Sequence, residues 1–266
     1  MTNWIELDLK VKEWIREAGQ LIKKSFSKTL DIQTKSNQND LVTEIDKNTE
    51  LFFINKIRET YPHHKVVGEE GFGDKLTNEE GIIWIIDPID GTMNFVHMQR
   101  DFAISIGIYE NGVGQIGIIY DVIRDELYHT IKNKGVFMNE IALKSLEEVN
   151  ISEAIIGMNA TWVTENKRID PSVLGPLVKD VRGTRSYGSA AIELASVAAG
   201  RLDAHISLRL APWDFAAGKI LVEELGGIVT DLRGRPLKLL EQNTIIVSKP
   251  GLHETIMKKY LNNGNW

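Results

Sequence analysis

The chain has 266 residues, 42% hydrophobic and 26% charged, which at about 150 residues per domain suits one large domain or two modest lobes able to bury a core without staples. Its 31 basic against 37 acidic residues leave a net charge of −6, which argues against nucleic-acid and anionic-membrane binders, since both need a basic surplus. With no cysteine there is no disulfide framework, no cysteine zinc site and no cysteine nucleophile, a composition that suits a reducing compartment.

Leu7, Val11, Trp14, Ile15, Ala18 and Ile22 recur at helical spacing among charges, so an amphipathic helix lying on a core is expected here rather than a signal segment. No apolar run approaches the ~18 residues of a membrane span, and the expected location is cytoplasmic. A polar loop over 34–40 carries Lys35, and helical periodicity resumes over 41–60, ended by Pro62. A short strand at 66–67 runs into Gly68-Glu69-Glu70, a charged loop covers 74–80, and 82–86 reads as a buried strand that stops at Asp87. From 102 to 131 the alternation and the Asn111-Gly112 pair predict a meander of antiparallel strands. Gly112, Gly114 and Gly117 match G-x-G-x-x-G, but a strand continues where the dinucleotide fingerprint needs a helix, so the match is read as a hairpin turn.

Further on, strands are expected at 151–158, 204–207 and 244–247. Helices are expected at 171–181, at 189–199 closed by Gly200, and at 215–225 closed by Gly226 and Gly227. The two halves meet near residue 145.

The chemistry concentrates in Trp84-Ile-Ile-Asp87-Pro-Ile-Asp90-Gly-Thr92-Met-Asn94-Phe95. Two carboxylates stand where a buried strand turns into a helix; Pro88 stiffens the turn, and Gly91 lets a ligand approach the backbone. The Gly91 and Thr92 amides at the helix start suit a phosphate. Ionised together, the carboxylates repel, and oxygen-only ligands favour Mg2+ over Zn2+ as the neutralising cation. The plainer alternative makes Asp87 a turn cap and Asp90 a helix cap. Glu69 and Glu70 also read as a solvated turn, Asp214 as a helix N-cap, and Asp46 as a surface residue of a helix. The histidines form no H-x-x-x-H pair and read as surface or packing residues.

In combination the segments are more specific. GEE, then WIIDPIDGTMNF, then PWDFAAG, with Lys35 and LVTEID before them and GSAAIEL and GRLDA between, closely resemble the inositol monophosphatase family of metal-dependent sugar phosphatases. The resemblance implies a layered αβαβα sandwich of the inositol monophosphatase and fructose-1,6-bisphosphatase type. It would comprise an N-terminal lobe (1–145) of helices plus antiparallel sheet and a C-terminal α/β lobe (146–266), one cooperative unit with the site between them. It implies two or three Mg2+ ions on Glu69, Asp87, the Ile89 carbonyl, Asp90 and Asp214, with Glu70 nearby. Thr92 paired with Asp46 would orient a metal-activated water for in-line attack, and Glu69 would share in catalysis. Gly91 and Thr92 would hold the phosphate, Lys35 would lie near the site, and Gly188, Ser189 and Ala190 would line the leaving-group pocket.

One departure bears on specificity. Seven residues before the aspartate of PWD, inositol-specific relatives carry a glutamate; here Ser207 stands, with Arg209 nearby as a candidate for a second phosphate. The expected activity is therefore hydrolysis of inositol monophosphate or a related small phosphate ester. Fructose-1,6-bisphosphatase, NADP phosphatase or a non-catalytic regulator on the same fold are the alternatives. The resemblance further implies lithium sensitivity and a homodimer. A haloacid-dehalogenase-like phosphatase needs D-x-D-G-T, and Asp87 and Asp90 stand one residue too far apart for it.

Overall fold

Asn3 accepts a hydrogen bond from Glu6 N (3.3 Å) and starts α1 (Trp4–Ser25), whose Leu7, Val11, Trp14, Ile15, Ala18 and Ile22 are all buried, as their spacing predicts. The structure, a computed structural model, describes residues 2–27, 32–34 and 41–266. Lys35 lies outside the described residues. A ribbon of β1 (Ile32–Thr34) and β2 (Leu41–Thr43) leads into α2 (Glu44–Thr60). The helix expected from residue 41 starts later because the Thr43 side chain accepts from Ile45 N (3.1 Å) and caps it there.

β3 (Lys65–Gly68) pairs parallel with β4 (Ile82–Asp90), and α3 (Thr92–Met98) follows at once. β5 (Ala103–Glu110), β6 (Val113–Asp121), β7 (Glu126–Ile131), β8 (Val136–Met138) and β9 (Ile141–Ala142) continue an antiparallel meander, giving a seven-stranded sheet in the order β3-β4-β5-β6-β7-β8-β9. Asn111 (φ 51°) and Gly112 (φ 77°) form the tight β5–β6 turn, so the glycine-rich match is a hairpin. β4 departs from expectation: it does not stop before Asp87 but runs to Asp90 through a register shift. Asp87 lies opposite Ser105 and Asp90 opposite Ala103, one extra residue on β4. Pro88 cannot donate to a ladder, and a bulge is where a sheet tolerates it.

A 3-10 turn at Ile151–Glu153 shortens the strand expected from 151 to β10 (Ile155–Met158). Then come α4 (Pro171–Asp180), β11 (Gly183–Arg185), α5 (Ala190–Ala198), β12 (Ala204–Leu210), α6 (Pro212–Glu224), β13 (Ile228–Thr230), β14 (Asn243–Ser248) and α7 (Leu252–Lys259). α6 begins three residues before the expected 215, because Pro212 sits in its first turn, where a missing N–H costs nothing. The second sheet is mixed, in the order β11-β10-β12-β14-β13.

Three apolar clusters define the layers. α1 and α2 cover one face of the larger sheet through Trp14, Phe53, Trp84, Ile86 and Ile106. α5 and α6 fill the space between the two sheets with Leu194, Phe215, Leu221, Ile83, Ile85 and Val247. α4 and α7 cover the far face of the smaller sheet with Leu174, Ile206, Ile246 and Ile256. The fold is the expected αβαβα sandwich. Glycines on the larger sheet let α6 lie close: a Cβ on Gly117 would stand 2.6 Å from the Ala217 carbonyl oxygen.

Candidate active site

Side chains three apart on a regular strand point to opposite faces. The extra residue in β4 cancels that alternation, so Asp87 and Asp90 both face the α5–α6 layer, as their partners Ser105 and Ala103 do. Asp214 approaches from the first turn of α6, where its Oδ2 accepts from Ala211 N (2.8 Å). It is therefore the third helical residue and not the N-cap. One carboxylate oxygen from each of Asp87, Asp90 and Asp214 lies within 4.8 Å of the others.

Among the described residues, no lysine or arginine forms an ion pair with these three acids. Burial, then the charges of Glu69, Asp90 and Asp214, raise the Asp87 carboxyl well above the usual range. Burial and then Asp90 raise Asp214 likewise. Asp90 is pushed up to about 6, chiefly by burial, against hydrogen bonds from Ser189 and Ala191 that lower it. Carboxylates crowded in this way gain from a cation. Hard oxygen donors without nitrogen or sulfur fit Mg2+, so the residues present suit the expected metal.

Asp90 does not cap the helix that follows it. Its Oδ2 accepts from Ser189 Oγ (2.5 Å) and Ala191 N (2.5 Å), the start of α5, and so ties β4 to the second half of the chain. Gly91 is left-handed (φ 95°), and a Cβ there would meet the Gly188 carbonyl and the Ser189 side chain at 3.2 Å. The turn that follows Asp90 and the segment Gly188-Ser189-Ala190 thus lie against each other. Asn94 locks that contact, donating from Nδ2 to the Tyr187 carbonyl (2.6 Å) and to the Asp101 carbonyl (2.7 Å).

Asp46, which reads as a surface residue in the sequence, is fully buried. Its Oδ2 accepts from Thr43 N (2.9 Å) and Thr43 Oγ1 (2.5 Å), and its Oδ1 accepts from Thr92 Oγ1 (3.0 Å). Burial raises its pKa, opposed by the Thr43 and Thr92 hydrogen bonds. Thr92 Oγ1 also lies 3.2 Å from the Ile89 carbonyl. With its O–H donating to Asp46, Thr92 Oγ1 keeps lone pairs free to accept a hydrogen bond from water.

Glu69 follows β3, its N–H donating to the Ile86 carbonyl (3.3 Å) and its carboxyl within hydrogen-bonding reach of Asp87. Glu70 is half-buried, outside the three-acid cluster. The backbone from Glu70 to Phe72 is held by a residue the sequence reading passes over. Glu50 is fully buried on α2, and its carboxylate accepts from Glu70 N (2.7 Å) and Phe72 N (2.9 Å). Gly68 must be small, since a Cβ would come within 2.4 Å of that carboxyl. Asp46 and Glu50 stand one helical turn apart on the buried face that continues into Phe53, Ile54 and Ile57. Acids four apart on an apolar stripe are the signal that would have found Glu50.

Ser207 is buried on β12, facing the α5–α6 layer beside its partner Ile245. A second bulge follows it: Ser207 lies opposite Ile245 and Leu210 opposite Asn243. Arg209 falls in this bulge, exposed, and its charge acts on Asp214. His64, one of the histidines read as packing residues, accepts from Trp84 Nε1 (3.0 Å) and stacks on Tyr61.

A sequence model of the inositol monophosphatase family matches residues 5–264. The chain belongs to the inositol monophosphatase family. It is 62% identical over 261 residues to the inositol-1-monophosphatase of Bacillus subtilis (strain 168), covering 98% of each chain. It is 34% identical over 232 residues to the Nus factor SuhB of Escherichia coli (strain K12), covering 86% of each. Among solved structures, inositol monophosphate-bound SaIMPase-II superposes with a TM-score of 0.88 at 41% identity, over 98% of this chain and 95% of that one. An IMPase/NADP phosphatase complexed with Mg2+ and phosphate gives 0.89 at 28% identity, over 97% and 95%.

Proposed function

We propose that the chain is a divalent-metal-dependent phosphomonoesterase acting on inositol monophosphate or a related small phosphate ester. The observation that carries this is the convergence of Asp87 and Asp90, both buried, with the half-buried Asp214, crowded and raised in pKa, from β4 and α6. The name of the Bacillus subtilis relative and the ligand of SaIMPase-II support the substrate class. The Mg2+ and phosphate of the IMPase/NADP phosphatase support the cofactor.

Asp87, Asp90, Asp214, Glu69 and the Ile89 carbonyl would hold two or three ions, with Glu70 close by. When bound, the cations supply charge neutralisation and Lewis acidity toward water and a phosphate oxygen. The chain's own residues do the rest. Thr92 Oγ1 orients the attacking water and, as it takes a proton from that water, passes its own proton to Asp46 Oδ1, and the Gly91 and Thr92 amides hold the phosphate. Gly188, Ser189 and Ala190 would line the space for the leaving alcohol, with Ser207 and Arg209 as further candidates for substrate contact. The same reading takes the two lobes, 1–145 and 146–266, as one cooperative unit, and the enzyme as cytoplasmic, lithium-sensitive and homodimeric.

Phosphate release from inositol 1-phosphate, fructose 1,6-bisphosphate, NADP and 3′-phosphoadenosine 5′-phosphate tests the proposal, measured with Mg2+ and with chelator. Mg2+-dependent release is expected, led by inositol 1-phosphate; preference for NADP or the bisphosphate would shift the weight to Arg209. No release from any of the four would overturn the reading. The similarity to the Nus factor SuhB favours a second one, a regulator on this fold, and the same null result would select it.

A further inference from the structure

Between α5 and the smaller sheet lies a pair of ionisable groups that the proposed chemistry does not use. Glu193, on α5, and His205, on β12, are 4% and 5% exposed. Glu193 Oε2 meets His205 Nδ1 at 2.6 Å. The other oxygen, Oε1, accepts from Tyr187 N (2.7 Å), and the Gly188 N–H also bonds this carboxylate. β10 makes room for the pair at Gly157, where a Cβ would stand 2.7 Å from Glu193 Oε2 and 3.2 Å from His205 Nδ1. The His205 Nε2 atom is buried with no partner among the described residues.

Stability alone does not call for this arrangement. Burying two polar, ionisable groups is expensive, and an apolar pair of similar volume serves a core as well or better. The orphaned Nε2 adds to the expense. What the pair does hold is the backbone that leads into Gly188, Ser189 and Ala190. That segment is gripped from three directions: Glu193 takes its N–H groups at Tyr187 and Gly188, Asn94 takes the Tyr187 carbonyl (2.6 Å), and Asp90 takes Ser189 Oγ (2.5 Å). Two of these grips come from the turn that bears the metal-ligand candidates. The Glu193 grip comes instead from α5, and the same carboxylate is bonded by His205 from β12.

We infer that the Glu193–His205 pair is a positioning device for the leaving-group side of the site, setting the Tyr187–Gly188 backbone and thereby selecting the alcohol portion of the substrate. The hydrogen bonds of Glu193 go to Tyr187, Gly188 and His205 rather than to the candidate metal ligands. The inference rests on reading Gly188, Ser189 and Ala190 as the leaving-group pocket. A phosphate ester with a sugar-like alcohol presses on that segment through its hydroxyls, whereas a flat aryl leaving group does not depend on them.

The test compares Glu193→Ala, Glu193→Gln and His205→Phe with the wild type, as full chains saturated with Mg2+. Two substrates are used, inositol 1-phosphate and 4-nitrophenyl phosphate, and amide deuterium exchange is read at Tyr187 and Gly188. Glu193→Ala is expected to raise KM for inositol 1-phosphate about tenfold, the scale of a lost hydrogen bond to a charged group. Its kcat, and both constants for 4-nitrophenyl phosphate, should stay within about threefold, while the two amides exchange about tenfold faster. Glu193→Gln keeps an oxygen on the Tyr187 amide and offers an N–H to His205 Nδ1, so it should restore both readouts. His205→Phe leaves the carboxylate buried without its partner and should mimic the alanine variant, which also covers the case that Glu193→Ala fails to fold.

Amide exchange unchanged in both disruptive variants overturns the inference whatever the activity. Faster exchange with equal losses on both substrates, or with no change in KM, also overturns it and leaves the pair a structural one. A wild type inactive on both substrates counts against the phosphatase reading instead, and the exchange data then decide the positioning claim by themselves.

Discussion

Two acid-rich regions of this molecule differ in what neutralises them. On the outer part of the larger sheet, Arg124 pairs with Asp121 (2.6 Å) and Asp101 (2.5 Å), and Arg201 takes both oxygens of Glu126 (2.6 and 2.9 Å). There the hydrogen bond from Arg201 lowers the Glu126 carboxyl, and the hydrogen bonds that Arg124 donates to Asp121 and Asp101 raise its guanidinium. Where β4 meets α6, Asp87, Asp90 and Asp214 converge, and all three are raised. The first region is electrostatically complete. The second has no such basic partners among the described residues, and crowding of this kind marks a candidate functional cluster rather than a structural one.

The comparison is broken most severely by Asp90→Asn. It is expected to lower kcat at saturating Mg2+ by at least about 100-fold, the scale of one lost electrostatic contact to a transition state. Turnover close to wild type would remove Asp90 from the site.

A second measurement uses pH. For Asp90, raised from 3.8 to about 6 in the folded chain, stability is full below the unfolded value and is lost as pH climbs through the folded one. Asp87 and Asp214 act in the same direction. Metal-free protein should therefore be penalised as these acids ionise, and saturating Mg2+ should lift the penalty. The rise in Tm on replacing EDTA with Mg2+ is expected to grow between about pH 5 and about pH 7. A rise that is constant over that range would contradict the crowding of ionised acids.

The smallest effect belongs to the paired region. Glu126→Gln weakens a partly exposed bidentate pair and should cost about 1 kcal/mol, or roughly 2–4 °C in Tm. Thermal unfolding should show this loss with and without Mg2+, and kcat should stay within about twofold of wild type. A metal-dependent loss would mean that the two regions are not separate.

Much of the architecture was legible because it is encoded locally. The stripe from Leu7 to Ile22, the Asn111-Gly112 turn and the runs closed by Gly200 and Gly226 each carry their own period or backbone preference. The acids of the DPID and PWD segments could be singled out by residue type and order. The errors fall where distant parts of the chain meet. β4 was expected to end at Ile86 because a proline normally terminates a ladder, yet pairing with β5 carries it through a bulge to Asp90. Asp46 and Glu50 look like ordinary helix acids until the Thr92 hydroxyl and the Glu69–Glu70 turn are folded onto them. Glu193 and His205 show no local signal at all.

The sequence by itself determined the periodic elements, the absence of any cysteine chemistry and the set of acids available to hold a cation, because these depend on side-chain type and on spacing within one element. Only the tertiary structure decided that Asp87 and Asp90 share a face, that Asp214 meets them, and that Asp90 also anchors α5. The physical reason is range. A helical or strand period is a property of a few consecutive residues, whereas the charge felt by a buried carboxylate is set by neighbours from elsewhere in the chain and by the water that folding removes.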